Sequence, residues 1–409
     1  MSRSAESLGL SQDRLRRIER FLDERYVLPG RLPCALTLVH RRGDTALLSV
    51  LGKADLERGT PLKEDSIFRI YSMTKPITSL ALMMLVEEGK VQLDDPVHRY
   101  IPEWRDLGVY AGGSGESGSP FRSVPVKRPM LVVDLLRHTS GLTYGIQQRT
   151  NIDAVYRARK IGDLQSMTLD ETIAALGRMP LEFSPGDAWN YSIATDVVGY
   201  LVGKISGMPF QDFVTTRIFQ PLKMNDTSFW LEDEAKRDRL VSLYTIGRNA
   251  SLTWMGEDRN TELYAPPKLF SGGAGLLSTA GDYLKFCRLM LGRGALGSVR
   301  LLSSKTVDLM TSNHLPGGKT ISEMSVSMFS EAAYAGIGFG LGFSVMVDPA
   351  ASLILGSPGE YSWGGLASTT FFIDPKEELI AIFMTQFIPS TFYNLRRELR
   401  TLVYSAFID

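Results

Sequence analysis

Apolar and polar positions divide the chain into strand-like ends and a helix-like middle. Leu15, Ile18, Leu22 and Tyr26 recur at helical spacing inside a charged segment, which predicts an amphipathic first helix ended by Gly30 and Pro33. Short apolar runs at 34–40 and 46–51 flank Arg41-Arg42-Gly43-Asp44 and read as a hairpin, with a third strand at 67–70. The segment 72–88 then carries Ile77, Leu80, Ala81, Leu82, Met83, Met84, Leu85 and Val86. It is apolar almost all round, so it predicts a helix enclosed by the fold; Gly89 stops it. Residues 111–120 are rich in Gly and Ser and predict a mobile loop that does not pack. Further helices are predicted over 131–137, 169–178, 193–205, 211–218 and 282–291, the second supported by capping-box spacing of Thr168 and Glu171. From Gly336 onward the pattern turns to strands at 341–347, 366–373 and 379–386, with Asp374-Pro375 as the turn between the last two. A closing helix at 392–407 puts Leu395, Leu399, Leu402 and Val403 on one face.

This distribution predicts an α/β fold of the α+β kind. The two ends meet in one antiparallel sheet flanked by the N- and C-terminal helices, beside a mostly helical lobe. The expected division is a discontinuous sheet domain (1–70 and 278–409), a helical domain (71–277) and an active site in the cleft between them. A length of 409 residues accommodates two such units. Lys and Arg number 45, as do Asp and Glu, which argues against nucleic acid or an anionic membrane as partner. A hydrophobic content of 44% supplies a large core and excludes wholesale disorder. No apolar run is long enough to cross a bilayer, and no export signal precedes the charged first helix, so a cytoplasmic location is expected. Cys34 and Cys287 are too few for a disulfide scaffold and read as buried thiols in a reducing compartment.

Candidate chemistry begins at Ser72-Met73-Thr74-Lys75. Positions i and i+3 share a helical face, so the hydroxyl and the amine can touch. A Lys in the first turn of an apolar helix is disfavoured as a cation by desolvation and by the helix dipole, which makes Lys75 a proton acceptor for Ser72. The same helix start aims the Ser72 N–H where an oxyanion could bind. The plain alternative is a helix start with a solvated Lys. Tyr191 follows the turn formers of 184–187 and precedes a helix. A phenol beside a cationic Lys would have its pKa lowered and could shuttle the serine proton; otherwise it is a core tyrosine. The glycines of Trp363-Gly364-Gly365 let backbone approach a ligand, and the next N–H, that of Leu366, could be a second oxyanion donor; a tight turn is the alternative. No serine has Gly two before and two after it, so there is no nucleophile elbow. His40, His98, His138 and His314 are scattered without zinc-site spacing, and no metal is expected. His138 could be a base, but a hydrogen-bonded structural residue ending a short helix is the favoured reading, and Gly272-Gly273-Ala274-Gly275 reads as a turn.

Together these segments resemble the serine β-lactamase and penicillin-binding-protein superfamily, in its class C-like branch. The matching blocks are Ile70-Tyr71-Ser72-Met73-Thr74-Lys75, Leu93-Asp94-Asp95-Pro96-Val97, 135–142, 183–192, 272–282 and Trp363-Gly364-Gly365, in order along most of the chain. Within that superfamily the chain looks most like the family VIII carboxylesterases. β-Lactamases of the branch have Tyr-x-Asn where this chain has Tyr191-Ser192-Ile193, and Lys-Thr-Gly where it has Trp363-Gly364-Gly365. A Trp supplies an apolar wall suited to an uncharged ester rather than a cation for a carboxylate. It also leaves Lys75 as the only motif cation near Tyr191.

The resemblance implies a serine carboxylesterase acting on a small-molecule, short-chain ester through an acyl-Ser72 intermediate. Lys75 and Tyr191 would form the general base and the N–H groups of Ser72 and Leu366 the oxyanion hole. Trp363, Gly364 and Gly365 would line the substrate pocket, with Tyr144 and Tyr361 added for their nearness to the motifs. No cofactor is required. A β-lactamase, a D-peptidase or amidase, a transacylase and a non-catalytic binding homologue remain alternatives.

Overall fold

The alternation at the two ends of the chain is realised as one eight-stranded antiparallel sheet. In the computed structural model, which describes residues 3–327 and 335–409, its strands in chain order are β1 (Cys34–Arg41), β2 (Asp44–Asp55), β3 (Thr60–Pro61), β6 (Ile337–Phe339), β7 (Ser344–Met346), β8 (Tyr361–Gly364), β9 (Thr370–Asp374) and β10 (Leu379–Met384). Among the short strands outside it are β4 (Phe68–Arg69) and β5 (Leu277–Ser278). The spatial order is β6-β7-β8-β9-β10-β1-β2-β3, so the ends of the chain join where β10 pairs with β1. Leu36 faces Met384 and His40 faces Ile380 in that register.

Period-two burial then assigns each face. Phe371, Ile373, Ile380, Ile382 and Met384 enter the main core, whereas Phe372, Leu379, Ala381 and Phe383 enter a second cluster on the opposite face. That second cluster is closed by helix α1 (Gln12–Leu22) through Leu15, Ile18 and Leu22, and by the last helix, α5 (Leu395–Ser405), through Leu395, Leu399 and Val403. On the main-core face, α4 (Ala280–Leu291) packs against β9 and β10. The enclosed helix is α2 (Thr74–Glu87), with every residue from Thr74 to Leu85 buried, and it packs against α3 (Ala194–Ser206). No helix of the described residues is long and apolar enough to cross a membrane.

Three expectations are corrected. The strand predicted at 67–70 does not join the large sheet: β4 pairs only with β5, Arg69 opposite Leu277. Buried Arg69 then donates to the carbonyl of Val241 at 2.8 Å and to Asn260 Oδ1 at 2.8 Å, which fixes the segment leading to Ser72. The strand predicted from Leu366 begins at Thr370, because residues 365–369 form a turn closed by Gly365 N–H to Thr369 O at 2.8 Å. The Gly- and Ser-rich segment is the tip of a hairpin between Val109–Gly112 and Arg122–Val124. It has internal bonds such as Ser114 N–H to Ser119 O at 3.0 Å, and Phe121 packs edge-on against Tyr110.

Candidate active site

Ser72 lies in a single tight turn, Tyr71–Met73, that leads directly into α2. Tyr71 holds φ at 42°, a left-handed conformation that a bulky side chain rarely adopts, so the chain reverses sharply before the serine. Three bonds hold this helix start in place. Tyr283 OH donates to Met73 O at 2.9 Å, Leu276 N–H to Thr74 Oγ1 at 3.2 Å, and Thr78 Oγ1 to Gly272 O at 2.7 Å.

One helical turn onward, the Lys75 side chain is 1% exposed. Its Nζ lies 2.8 Å from Gly273 O, 3.3 Å from Tyr144 Oη and 3.4 Å from Ser72 Oγ. Tyr191, in the extended segment before α3, donates from its hydroxyl to Ser72 Oγ at 2.5 Å, and Lys75 Nζ stands 4.5 Å from the centroid of its ring. The serine, the amine and the phenol therefore converge. Tyr144 is not merely near a motif: it bridges Lys75 to the buried Asp196, donating to Oδ2 at 3.4 Å. Asp196 also accepts from Ser271 Oγ and from the Gly273 N–H.

Burial dominates the electrostatics. It brings Lys75 down to about 7, against a smaller opposing pull from Asp196. Burial also pushes the Tyr191 phenol well up, with the hydrogen bond to Ser72 only partly offsetting it. The expectation that a neighbouring ammonium would lower the tyrosine is therefore reversed: desolvation of the buried phenol dominates. Lys75 Nζ faces three oxygens, Gly273 O, Tyr144 Oη and Ser72 Oγ; on losing one proton it would keep N–H donors for the first two and turn a lone pair toward Ser72. His138, at φ 59° just beyond the helix Val132–Leu136, is buried beside Tyr191 and kept neutral first by burial and then by Lys75. His138 Nδ1 lies 3.3 Å from Ser192 Oγ.

A cavity of about 570 Å³ opens onto Ser72, walled by Tyr71, Tyr144, Tyr156, Ile161, Trp363 and Leu366. Gly364 and Gly365 reach the same wall. The Trp363 ring lies 5.5 Å from that of Tyr191. The N–H groups of Ser72 and Leu366 have no acceptor among the described residues, and both residues border the cavity. Tyr361 does not reach it. Two residues further from the strand end than Trp363, it is 1% exposed and packs on Phe343 in the core. No group of three or more His, Cys, Asp or Glu among the described residues is arranged to hold a metal ion.

Asp196 and Ser271 are site residues outside the motif blocks, and Gly273, inside the block 272–282, was read only as part of a turn. A lone carboxylate among Ile193, Ala194, Val197 and Val198 was a readable signal for Asp196. Gly273 acts through its carbonyl, which leaves no side-chain trace.

The sheet, the enclosed helix and the Ser–Lys–Tyr cluster at its start define a β-lactamase-like serine hydrolase. A family model described as Beta-lactamase matches residues 16–404, and the chain belongs to that family. Among individual proteins it is similar to an uncharacterized protein of Mycobacterium tuberculosis, 37% identical over 365 residues, covering 88% of this chain and 87% of that one. It is similar also to esterase EstB of Burkholderia gladioli, 31% identical over 377 residues, with 87% and 86% covered. Its fold is that of EstCE1, a hydrolase with promiscuous acyltransferase activity: TM-score 0.79 at 24% identity, covering 98% of this chain and 99% of that chain.

Proposed function

We propose that this protein is a serine carboxylesterase that hydrolyses short-chain, uncharged esters through an acyl-Ser72 intermediate. The observation that carries it is Ser72 Oγ held between the Tyr191 hydroxyl at 2.5 Å and a buried Lys75 amine at 3.4 Å that is brought down to about 7. Lys75 takes the Ser72 proton as Oγ attacks the ester carbonyl. The oxyanion is received by the N–H groups of Ser72 and Leu366. As the tetrahedral centre collapses, the leaving alkoxide takes the Tyr191 proton, which the Lys75 ammonium replaces. Water then enters, loses its proton to the Tyr191–Lys75 pair and attacks the acyl carbon; the acid leaves and Ser72 is restored. The indole of Trp363 stands where a carboxylate-binding cation would serve a β-lactam, which favours an uncharged ester. The similarity to esterase EstB points the same way. We set this activity in the cytoplasm, in keeping with the free, buried thiols of Cys34 and Cys287.

The deciding experiment compares the parent with Ser72→Ala on p-nitrophenyl butyrate and on nitrocefin, with intact mass after a fluorophosphonate. The expected result is loss of ester hydrolysis by roughly 10³-fold or more and loss of the covalent adduct. Equal hydrolysis by Ser72→Ala removes the proposal. Faster turnover of nitrocefin than of the ester makes the protein a β-lactamase instead.

A further inference from the structure

The two glycines of Trp363-Gly364-Gly365 are occupied from within the protein. A β-carbon on Gly364 would fall on the guanidinium of Arg396, and one on Gly365 would fall 2.5 Å from the carbonyl oxygen of Ile70. Arg396 stands in the first turn of α5. Its Nη2 donates to Gly365 O at 2.7 Å and to Thr369 O at 2.9 Å, the two carbonyls that bracket the turn at 365–369. That turn carries Leu366, which borders the cavity. The arginine is itself braced. One helical turn on, Arg400 donates to Glu360 Oε1 at 2.8 Å and to Ser362 Oγ at 2.7 Å, which locks α5 onto β8.

We propose that Arg396 is the positioning residue of the oxyanion hole, holding the turn at 365–369 so that the Leu366 N–H meets the same oxygen as the Ser72 N–H. This rests on the acyl-Ser72 reading above. A guanidinium suits the task because the two in-plane N–H bonds of one amino group, Nη2, point at the two carbonyls in fixed directions, whereas a Lys ammonium rotates on a flexible stem. Gly364 is the only residue type that admits the fork this close to the strand. The same positive charge favours ionisation of Tyr191, from a helix outside every motif block and on the side where Trp363 stands in place of a motif lysine.

The test measures kcat and KM for p-nitrophenyl butyrate, the rate of Ser72 phosphonylation and the melting temperature. The chains compared are the parent, Arg396→Met, Arg396→Lys, Gly364→Ala and the double variant Gly364→Ala/Arg396→Met. Arg396→Met is expected to lose kcat by about a hundredfold, the effect of a misplacement of about 1 Å, with KM within about threefold. Phosphonylation should slow in parallel. Arg396→Lys restores the charge but little of the rate. Gly364→Ala, which keeps the arginine but displaces it, falls comparably, and the double variant falls no further. A folded Arg396→Met with kcat within about threefold of the parent overturns the proposal, as do additive losses in the double variant. If Arg396→Met does not fold, Gly364→Ala decides by the same limits. A parent that is phosphonylated at Ser72 yet does not cleave the ester refutes only the substrate, and the labelling rates still test Arg396. A parent that takes no phosphonate refutes both.

Discussion

At Lys75 the decisive quantity is the cost of burying an ammonium. The side chain is enclosed by α2, Tyr144 and Gly273, and desolvation brings its pKa to about 7. Only the neutral amine accepts the Ser72 proton, so kcat/KM should rise as pH rises through about 7, with a slope of one in a log plot below that point. Asp196 opposes the shift by favouring the ammonium. Asp196→Asn should therefore move this acid limb to lower pH, which a pH–rate profile on p-nitrophenyl butyrate will read; movement to higher pH contradicts the assignment. Ser72, Lys75 and Tyr191 were all readable as candidates, because a hydroxyl, an amine and a phenol carry their chemistry in their side chains. The direction of the Tyr191 shift was not readable, because desolvation depends on the packing around it rather than on its sequence neighbours.

At the element scale the site depends on a short turn and two short strands more than on long helices. The enclosed helix α2 was legible because a helix buried on all sides must be apolar on all sides. Strand β8 was not: Tyr361 and Trp363 alternate with Ser362 and Gly364 over too few residues to be read, and only pairing with β7 and β9 makes them a strand. The turn at 365–369 was folded into the following strand for the same reason. Its tightness is testable. A β-carbon on Gly365 would meet the Ile70 carbonyl and Thr369. Gly365→Ala is expected to cost about 1–3 kcal/mol in a denaturant melt and to slow Ser72 phosphonylation, since it parts the two backbone segments that carry the oxyanion donors. A variant that loses stability but labels at the parental rate shows that the turn matters only to the fold.

Over the whole molecule, the chain's distant ends are tied around one buried arginine. Arg41, 1% exposed, donates to Leu8 O at 3.0 Å, Gly9 O at 2.9 Å, Glu377 O at 3.0 Å and Asp409 Oδ1 at 2.8 Å. It thus joins the start of the chain, the β9–β10 turn and the final residue. Arg41→Met leaves those carbonyls without their donor and is expected to cost about 2–4 kcal/mol in chemical denaturation. Ser72 labelling should be unchanged below the transition, because the network lies on the sheet face opposite the cavity. A fall in labelling rate under those conditions would mean that the sheet transmits strain to the site.

Sequence alone determined that the ends form strands and the middle helices, that one helix is enclosed, and that a Ser-x-x-Lys starts it. Each follows from local periodicity or from side chains whose chemistry is intrinsic. Tertiary structure decided which strands pair, that Tyr144 links Lys75 to Asp196, that Tyr361 belongs to the core, and that Arg396 reaches Gly364 and Gly365. Those outcomes join residues far apart in the chain through backbone carbonyls and close approaches. Their energies come from burial and hydrogen-bond geometry, which exist only once the chain has folded.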